Sequence, residues 1–293
     1  MTDTLTPAST ARPRSALIVE GGAMRGAWSA GVLGALGEMN HCQFDLVVAG
    51  SSGACSAAYF VAGLVQPGLE IWKQHLGEQK LLRRTNWLRF KPMIDLAYLI
   101  DYCFKKTVPL PVGVFQTSKT KFQIVLTCCE TGRPQYFTAR DDWVFEALKA
   151  SSSLPFATRG YSFVAGVPYA DGGLSDPIPI RYVLDYGATD ITVILTHGAE
   201  YRMAPTPRVV CRLAYPWYPK AAESWTQRHI VYNGSLDLLA NPPAGVKLRI
   251  LRPMRPLPVT RFTDDSNRLR AAVTLGRDEA YQQLQNGVPA EKR

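Results

Sequence analysis

The sequence predicts a single α/β domain of three layers, with a central, mostly parallel sheet between two layers of helices. Two short apolar segments, residues 15–20 and 44–49, each run into a turn of small residues and then into a helical pattern. Strand, glycine turn and helix, met twice in succession, are typical of parallel strands that are covered on both faces. With 293 residues, 46% of them hydrophobic, the chain is long enough to bury a full core.

The remaining elements follow in order along the chain. Helical spacing of apolar residues predicts helices over 27–39, after the first turn, and over 54–64, after the second. Further strands are expected over 121–128, 134–138, 163–170, 191–195 and 246–251, and further helices over 143–151, 180–186, most of 209–239 and 266–285. Residues 1–14 are polar and are expected to be a disordered lead-in to a domain that spans 15–293.

Composition narrows the class of protein. No apolar stretch of about 18 residues is free of charged or turn residues, so no transmembrane helix is predicted. The six cysteines and four histidines show no metal-binding spacing, and we expect reduced, mostly buried thiols in a cytoplasmic protein without a metal site. The net charge of +9 predicts affinity for anionic surfaces but does not by itself distinguish a membrane from nucleic acid. We expect peripheral contact with the inner face of an anionic membrane and no nucleic-acid binding, since no motif supports the latter.

One basic and aromatic segment offers a candidate surface for membrane contact. Residues 80–91 mix lysines and arginines with Leu82, Trp87, Leu88 and Phe90. This mixture fits an interfacial helix at lipid headgroups. It also fits an ordinary surface segment whose apolar side chains point inward. The ordinary surface segment is the favoured interpretation.

Three turns of small residues, each directly after a predicted strand, carry the chemistry. The first, 20–26 (Glu-Gly-Gly-Ala-Met-Arg-Gly), exposes consecutive backbone N–H groups that suit an anion. The second, 50–54 (Gly-Ser-Ser-Gly-Ala), would place a serine on a tight strand-to-helix turn. The third, 171–177, begins with an aspartate and two glycines. Because the carboxyl ends of parallel strands meet at one edge of a sheet, we expect the three turns to lie close together.

Together, these turns supply the parts of an acyl-transfer site. Ser52 would attack a carbonyl carbon and Asp171 would accept its proton, while N–H groups of Gly21–Ala23, helped by Arg25, would hold the oxyanion. Ser51 is the alternative nucleophile in a frame shifted by one residue. An aspartate is a weak base at its ordinary pKa of about 4, so serine and aspartate must form a close, partly desolvated pair.

The motifs resemble those of the patatin-like phospholipases. That family carries a Gly-x-Gly-x-x-Gly oxyanion turn with a basic residue before its last glycine, a Gly-x-Ser-x-Gly nucleophile elbow, and an Asp-Gly-Gly or Asp-Gly-Ala turn. The matching residues here are Gly21, Gly22, Ala23, Arg25 and Gly26 for the oxyanion turn, Gly50, Ser52, Gly53 and Ala54 for the elbow, and Asp171, Gly172 and Gly173 for the third turn. Residues 150–155 also resemble the family's Ala-Ser-x-x-x-Pro segment. The likeness covers roughly residues 15–200, and 201–293 is an extension of helices and a strand without diagnostic motifs.

Two residues depart from the family pattern. Ala23 stands in place of the middle glycine of the oxyanion turn, and Ala54 in place of the last glycine of the elbow. The methyl group of Ala54 would sit where the helix passes close to its strand. One alternative function is therefore a catalytically weak or silent lipid-binding protein on the same fold.

The resemblance implies hydrolysis of carboxylic esters in lipids, with phospholipids as the substrate class, through an acyl-enzyme and without metal or cofactor. Two other interpretations stay open. A Ser-His-Asp esterase would use His197 or His229, in the chain order of the α/β-hydrolases. A dinucleotide-binding turn at 21–26 would lack its middle glycine and an acidic residue at the end of the next strand, since Asp45 comes at that strand's start.

Overall fold

The structure, a computed structural model, describes residues 14–83, 85–86, 91–140 and 142–286. The strands in these ranges are β1 Ser15–Val19, β2 Leu46–Gly50, β3 Lys121–Cys128, β4 Pro134–Thr138, β5 Ser162–Val164, β6 Val167–Asp171, β7 Asp190–Ile194 and β8 Lys247–Leu251. They form one sheet in the order β5-β6-β3-β2-β1-β7-β8, with β4 also paired to β3. Pairings among β1, β2, β3, β7 and β8 are parallel, and those of β4, β5 and β6 are antiparallel. The sheet is therefore mostly parallel, as predicted.

Helices cover both faces of the sheet. The described α-helices are α1 Gly26–Glu38, α2 Ser51–Val61, α3 Val65–Glu70, α4 Val114–Thr117, α5 Val144–Ser151, α6 Ile180–Asp185, α7 Arg208–Ala214, α8 Pro219–Ala240 and α9 Ser266–Asn286. Short 3-10 turns cover Ala23–Arg25 and Gly172–Leu174, and π-helical segments cover Ile71–His75 and Tyr98–Thr107.

Alternation along the central strands creates two cores. Leu17 and Val19 of β1 contribute to a core with side chains of α1, α2, α5 and α9, whereas Ala16 and Ile18 contribute to a second core with α6 and α8. Successive side chains of a strand point to opposite faces, so each strand serves both cores. This arrangement confirms the predicted three-layer α/β/α fold.

The region before Asp171 differs from the sequence-based expectation. Residues 163–170 were expected to form one strand, but they form the hairpin of β5 and β6. Ala165 and Gly166 have φ values of +48° and +80°, and positive φ at both central residues is the geometry of a two-residue hairpin turn.

The direction of β6 also corrects the expected route to the site. We expected Asp171 to follow a parallel strand, but β6 is antiparallel to β3. Strand β3 continues past the end of β2, whose last residue, Gly50, lies opposite Val125. Strand β6 pairs with this overhang and places Asp171 opposite Leu126, one residue beyond that level. The third turn therefore reaches the same edge of the sheet from the opposite direction.

The extension after residue 200 is built into the same layers. Strand β8 pairs in parallel with β7, and α9 packs against α1, where Gly31 and Gly276 let the two helix backbones approach closely. Nε1 of Trp28 in α1 donates a hydrogen bond of 2.9 Å to Oε2 of Glu279 in α9. Within the described ranges, none of the helices combines the length and the apolar character that a membrane crossing requires.

Two predicted features fall outside the described residues. They are residues 1–13 of the expected lead-in, and Trp87, Leu88 and Phe90 of the basic and aromatic segment. Leu82 of that segment is described and is fully buried.

Candidate active site

The three turns meet at one cavity of about 240 Å³. From the first turn it is lined by Gly21, Gly22 and Ala23, from the second by Gly50 and Ser51, and from the third by Asp171, Gly173, Leu174, Asp176 and Pro177. The turns thus lie together at the edge of the sheet where β1 and β2 end.

Ser51 occupies a strained position between β2 and α2. Its φ is +54°, a region that side chains other than glycine rarely adopt. Its N–H donates a hydrogen bond of 2.8 Å to Oγ of Ser151, which in turn donates one of 2.7 Å to the carbonyl oxygen of Val125. A buried serine on a sharp, strained strand-to-helix turn is the geometry of a nucleophile elbow.

Ser52, the predicted nucleophile, lies one residue further into α2. Its Oγ accepts a hydrogen bond of 3.0 Å from the N–H of Gly22. Ser52 is not among the residues that line the cavity with Asp171, and no hydrogen bond between these two is present in the described part of the chain. The geometry therefore favours Ser51, the alternative in the shifted frame.

The approach of α2 to β1 supports this shifted frame. A Cβ on Gly53 would lie 2.6 Å from the carbonyl oxygen of Val19 and 2.7 Å from that of Glu20, so a side chain does not fit there. With Ser51 as the serine of the Gly-x-Ser-x-Gly pattern, Gly53 becomes its final glycine. The departure from the pattern moves to Ala49, and the steric concern about Ala54, which is a buried helix residue, no longer applies.

Asp171 is buried and is positioned through its backbone. Its N–H donates a hydrogen bond of 3.1 Å to the carbonyl oxygen of Ser153, and its own carbonyl oxygen accepts one of 2.8 Å from Oγ1 of Thr127. Oδ1 accepts a hydrogen bond of 2.8 Å from the N–H of Gly173. Among the described residues, Oδ2 has no partner that completes a hydrogen bond, so this oxygen is available to a reacting group.

The environment of Asp171 tunes its basicity. Burial raises the pKa of the carboxyl, while the hydroxyl of Ser51 and the positive charges of Arg228 and Arg261 lower it. Ser51 is thus the serine whose side chain stabilises the ionised carboxylate. Hydrogen bonds between catalytic groups are often long before substrate binds. The Ser51 hydroxyl therefore influences Asp171 although it does not complete a hydrogen bond to Oδ2.

The first turn holds its backbone in a conformation that favours glycine. Ala23 has a φ of +49°, which explains why the family pattern has glycine at this position. Ala23 opens a 3-10 turn, and the first N–H groups of such a turn have no partner within it. Because the N–H of Gly22 donates to Ser52, an oxyanion here would depend first on the N–H of Ala23.

Arg25, predicted to help hold the oxyanion, is the last residue of the 3-10 turn Ala23–Arg25. It is not among the residues that line the cavity. Burial and the charge of Arg261 lower its pKa, and the charge of Glu20 raises it. Glu20 is itself buried, and its Oε2 accepts hydrogen bonds of 2.6 Å and 3.1 Å from the N–H and Oγ1 of Thr196. Arg25 therefore interacts electrostatically with Glu20 and Arg261 rather than lining the cavity.

Arg228 and Arg261 line the cavity although no sequence motif pointed to them. Arg228 lies on α8, and Arg261 lies between β8 and α9. A Cβ on Gly173 would be 3.6 Å from Nη2 of Arg228, which places this guanidinium beside the third turn. Isolated arginines far from the motifs of a basic chain carry no local signal, so sequence analysis missed both.

Neither His197 nor His229 belongs to the predicted site. The ring of His197 stacks on that of Tyr201, with centroids 3.5 Å apart. Burial and nearby arginines lower the pKa of His197 to about 3. His229 lies on α8, where Nδ1 is 3.0 Å from the carbonyl oxygen of a residue one turn earlier. In the described structure neither forms a hydrogen bond with Ser51 or Asp171, so the arrangement does not support a Ser-His-Asp triad.

A second, apolar cavity of about 60 Å³ begins at the same serine. Ala23, Ser51 and Leu154 line both cavities. Ser52 also lines the second cavity, whose remaining lining is mainly apolar and includes Met24, Tyr59, Ile71, Trp72, Leu76, Leu81, Ile94, Leu96, Leu99 and Phe104. Across the described residues, no group of three or more histidine, cysteine, aspartate or glutamate side chains could hold a metal ion.

Comparison with known proteins agrees with the fold and the motifs. The family model "Patatin-like phospholipase" matches residues 17–184, and the model "Domain of unknown function (DUF6363)" matches residues 218–287. The uncharacterized protein YjjU of Escherichia coli strain K12 is 26% identical over 284 residues, which cover 90% of this chain and 75% of YjjU. The crystal structure of VipD from Legionella pneumophila has the same fold, with a TM-score of 0.51 and 13% identity over 94% of this chain and 67% of VipD. The chain belongs to the patatin-like phospholipase family, whose members are lipid acyl hydrolases.

Proposed function

We propose that this protein hydrolyses a carboxylic ester of a phospholipid through a dyad of Ser51 and Asp171. The observation that carries the proposal is the position of Ser51, which is strained, buried and shared by both cavities. Asp171 lines one of these cavities with it, and the Ser51 hydroxyl lowers the pKa of its carboxyl.

The proposed reaction has two steps. Oγ of Ser51 attacks the acyl carbonyl carbon while its proton passes to Asp171, and the developing oxyanion accepts hydrogen bonds from the N–H groups at Ala23 and at the start of α2. The bond to the leaving alkoxide then breaks, and the alkoxide takes the proton from Asp171. A water molecule attacks the acyl-enzyme with Asp171 again as the base, which releases the fatty acid and restores Ser51.

The two cavities suit the two halves of an amphiphilic ester. The apolar cavity would take the acyl chain, since its lining offers aliphatic and aromatic carbon to a hydrocarbon. The cavity that contains Asp171 is more polar and would take the alcohol side of the ester, including its headgroup. An ester bond placed at Ser51 lies where the two meet.

We further propose peripheral contact with an anionic membrane at the cytoplasmic face. Val209 and Leu213 of α7, and Trp217, which follows the end of that helix at Ala214, are 63%, 70% and 84% exposed. Arg208 and Arg212 lie beside them on α7. Exposed apolar side chains flanked by arginines are typical of helices that lie in the headgroup region of an anionic bilayer. We call these five residues the α7 patch.

The proposed nucleophile can be tested with a fluorophosphonate probe, which reacts with activated serines. Wild type, Ser51→Ala, Ser52→Ala and Asp171→Asn would be treated in parallel, and fragment-ion mass spectrometry would locate the adduct. We expect an adduct on Ser51 that is lost in Ser51→Ala, persists in Ser52→Ala and forms far more slowly in Asp171→Asn. An adduct on Ser52 would transfer the role to that residue. No adduct on the folded wild type would favour the silent lipid-binding alternative.

A further inference from the structure

The C-terminal region contributes two cations to the cavity beside Ser51. Arg228 and Arg261 both lie within residues 218–287, the part of the chain that matches a domain of unknown function. Arg228 projects from α8 to the third turn, and Arg261 follows β8 next to the first turn, where its carbonyl oxygen lies 3.5 Å from the N–H of Met24. Two segments distant from the motifs thus complete the wall of the cavity.

Two arginines and two aspartates line this cavity. They are Arg228, Arg261, Asp171 and Asp176. Burial raises the pKa of both carboxyls, that of Asp176 to about 6, and Oδ2 of Asp176 already accepts a hydrogen bond of 2.6 Å from the hydroxyl of Tyr136. Within the described chain, neither of these arginines forms an ion pair with a carboxylate.

The arginine side chains also have unused hydrogen-bonding capacity. Nε of Arg228 is buried without a hydrogen-bond partner among the described residues, and so is Nε of Arg25. Burial and the charge of Arg261 lower the pKa of Arg228, because nearby cations repel one another in a poorly solvated site. An anion that entered the cavity would relieve this repulsion and accept a hydrogen bond from the guanidinium of Arg228.

We propose that Arg228 and Arg261 form a subsite for a phosphate group of the substrate, so that the C-terminal region selects anionic acyl esters over neutral ones. This inference rests on the proposed hydrolytic function. Guanidinium groups present planar forks of N–H donors that match phosphate oxygens, and they stay charged in partly buried sites. Because both arginines share a cavity with Ser51, the phosphate would be only a few bonds from the scissile ester, as in an acylglycerol phosphate.

Short-chain, soluble substrates distinguish recognition of the phosphate in this subsite from a general attraction of the protein to anionic membranes. We would compare 1-butyryl-glycerol 3-phosphate with 1-butyryl-glycerol, both below any aggregation, and measure kcat/KM for each. In wild type we expect the phosphate ester to be preferred. In Arg228→Met and Arg261→Met, each of which keeps an apolar stem, we expect the ratio of the two kcat/KM values to fall by about 10- to 100-fold.

Arg268→Met provides the matched control. Arg268 is an exposed residue of α9 in the same C-terminal region, and its removal changes net charge by the same amount. We expect this control to keep the wild-type ratio. The ratio of kcat/KM values in Arg228→Lys should fall between those of wild type and Arg228→Met, because lysine keeps the positive charge but lacks the planar set of N–H donors. A loss of turnover that is equal for both esters would mean that Arg228 acts only through the ionisation of Asp171, and it would overturn the subsite.

A binding measurement keeps the subsite separate from catalysis and from protein stability. Ser51→Ala would be titrated calorimetrically with glycerol 3-phosphate and with inorganic phosphate, alone and combined with Arg228→Met. Tighter binding of glycerol 3-phosphate than of inorganic phosphate, weakened by Arg228→Met in a folded protein, would support a headgroup site. Preference for inorganic phosphate would indicate a free-phosphate site instead. Glycerol 3-phosphate binding with no hydrolysis of any ester would contradict the proposed function and leave the subsite standing.

Discussion

The N–H of Ser51 donates a hydrogen bond of 2.8 Å to Oγ of Ser151, one hundred positions further along the chain. Ser151 is the last residue of α5 and is fully buried, and its hydroxyl is anchored in turn on the carbonyl oxygen of Val125 in β3. A non-glycine backbone in the left-handed region costs about 1–3 kcal/mol and persists only where the surrounding structure holds it there. The Ser151 hydroxyl, tied to the central sheet, supplies such a constraint and makes Ser151 a positioning residue for Ser51.

Removal of this hydroxyl should impair chemistry more than binding. In Ser151→Ala we expect kcat to fall by up to about 100-fold, since small displacements of a nucleophile are costly, while KM for a soluble ester changes little. Steady-state kinetics and the rate of fluorophosphonate labelling would measure the effect. Ser153→Ala is the matched control, because its Oγ bonds to Lys149 and Ser162 rather than to Ser51. Unchanged kcat in Ser151→Ala would show that α2 alone holds the strained turn.

Substitutions at Gly53 and at Ala54 should differ in their effect on activity. Gly53→Ala would push a methyl group against the carbonyl oxygens of Val19 and Glu20, and we expect unfolding free energy to fall by about 1–3 kcal/mol with loss of activity. Ala54→Gly introduces no such contact and should cost about 1–2 kcal/mol, through lower helix propensity and the loss of a buried methyl group. Urea denaturation and ester hydrolysis would be measured for both. Retained activity in Gly53→Ala with loss in Ala54→Gly would restore the frame centred on Ser52.

The acid limb of the pH profile should depend on Arg228. Asp171 must be ionised to accept a proton, and the positive charge of Arg228 favours the ionised form by lowering its pKa. Substitution by a neutral side chain should therefore raise the pKa of Asp171 and move the acid limb to higher pH. We would measure kcat/KM of a neutral soluble ester against pH for wild type, Arg228→Gln and Arg268→Gln. A shift to lower pH, or an equal shift in both variants, would contradict this account.

His197 should make the fold sensitive to acid. Its pKa is about 3 in the folded chain, lowered by burial and by nearby arginines, whereas an ordinary histidine titrates near 6.5. As pH falls from about 6.5 towards 3, the unfolded chain takes up a proton that the folded chain does not, so unfolding free energy falls. The slope from one such group is at most about 1.4 kcal/mol per pH unit, and solvent screening reduces it here.

His197→Phe keeps a ring to stack on Tyr201 and should flatten this dependence. Urea denaturation at pH 7 and pH 5 would give the difference in unfolding free energy for wild type and variant. His41→Phe, on a loop after α1, serves as a control with another histidine removed. An equal loss of stability on acidification in wild type and His197→Phe would assign the acid sensitivity to other groups.

The α7 patch should contribute to membrane binding and not to the rate of ester hydrolysis. Leu213→Ser and Trp217→Ser remove exposed apolar area, and we expect weaker sedimentation with phosphatidylserine vesicles at unchanged hydrolysis of a soluble ester. Ile230→Ser removes an exposed apolar residue of α8 and serves as a comparison. Full vesicle binding by the combined Leu213→Ser/Trp217→Ser variant would exclude the α7 patch as the contact surface.

Periodicity predicted most of the secondary structure because apolar side chains repeat where a strand or helix faces a core. Strands β3 and β4 have the predicted bounds, and β1, β2, β7 and β8 lie within one or two residues of theirs. The hairpin of β5 and β6 was missed, since its turn at Ala165 and Gly166 depends on two positive φ values rather than on an apolar pattern.

The sequence motif does not determine which of the two serines is the nucleophile. Gly50-Ser51-Ser52-Gly53-Ala54 accommodates a nucleophile at either serine, and spacing alone does not distinguish them. Backbone conformation favours Ser51, because Ser51 has the positive φ and Gly53 lies against the carbonyl oxygens of Val19 and Glu20. Both facts depend on how α2 packs against the sheet.

The sequence by itself determined the α/β architecture, the family and the three turns that carry the chemistry, because these depend on local pattern and on short motifs. Tertiary structure alone decided which serine faces Asp171, how Asp171 arrives from an antiparallel strand, and that Arg228 and Arg261 complete the cavity. Such relationships join residues that are distant in the sequence, and packing of the whole chain fixes them. No short stretch of sequence contains that information.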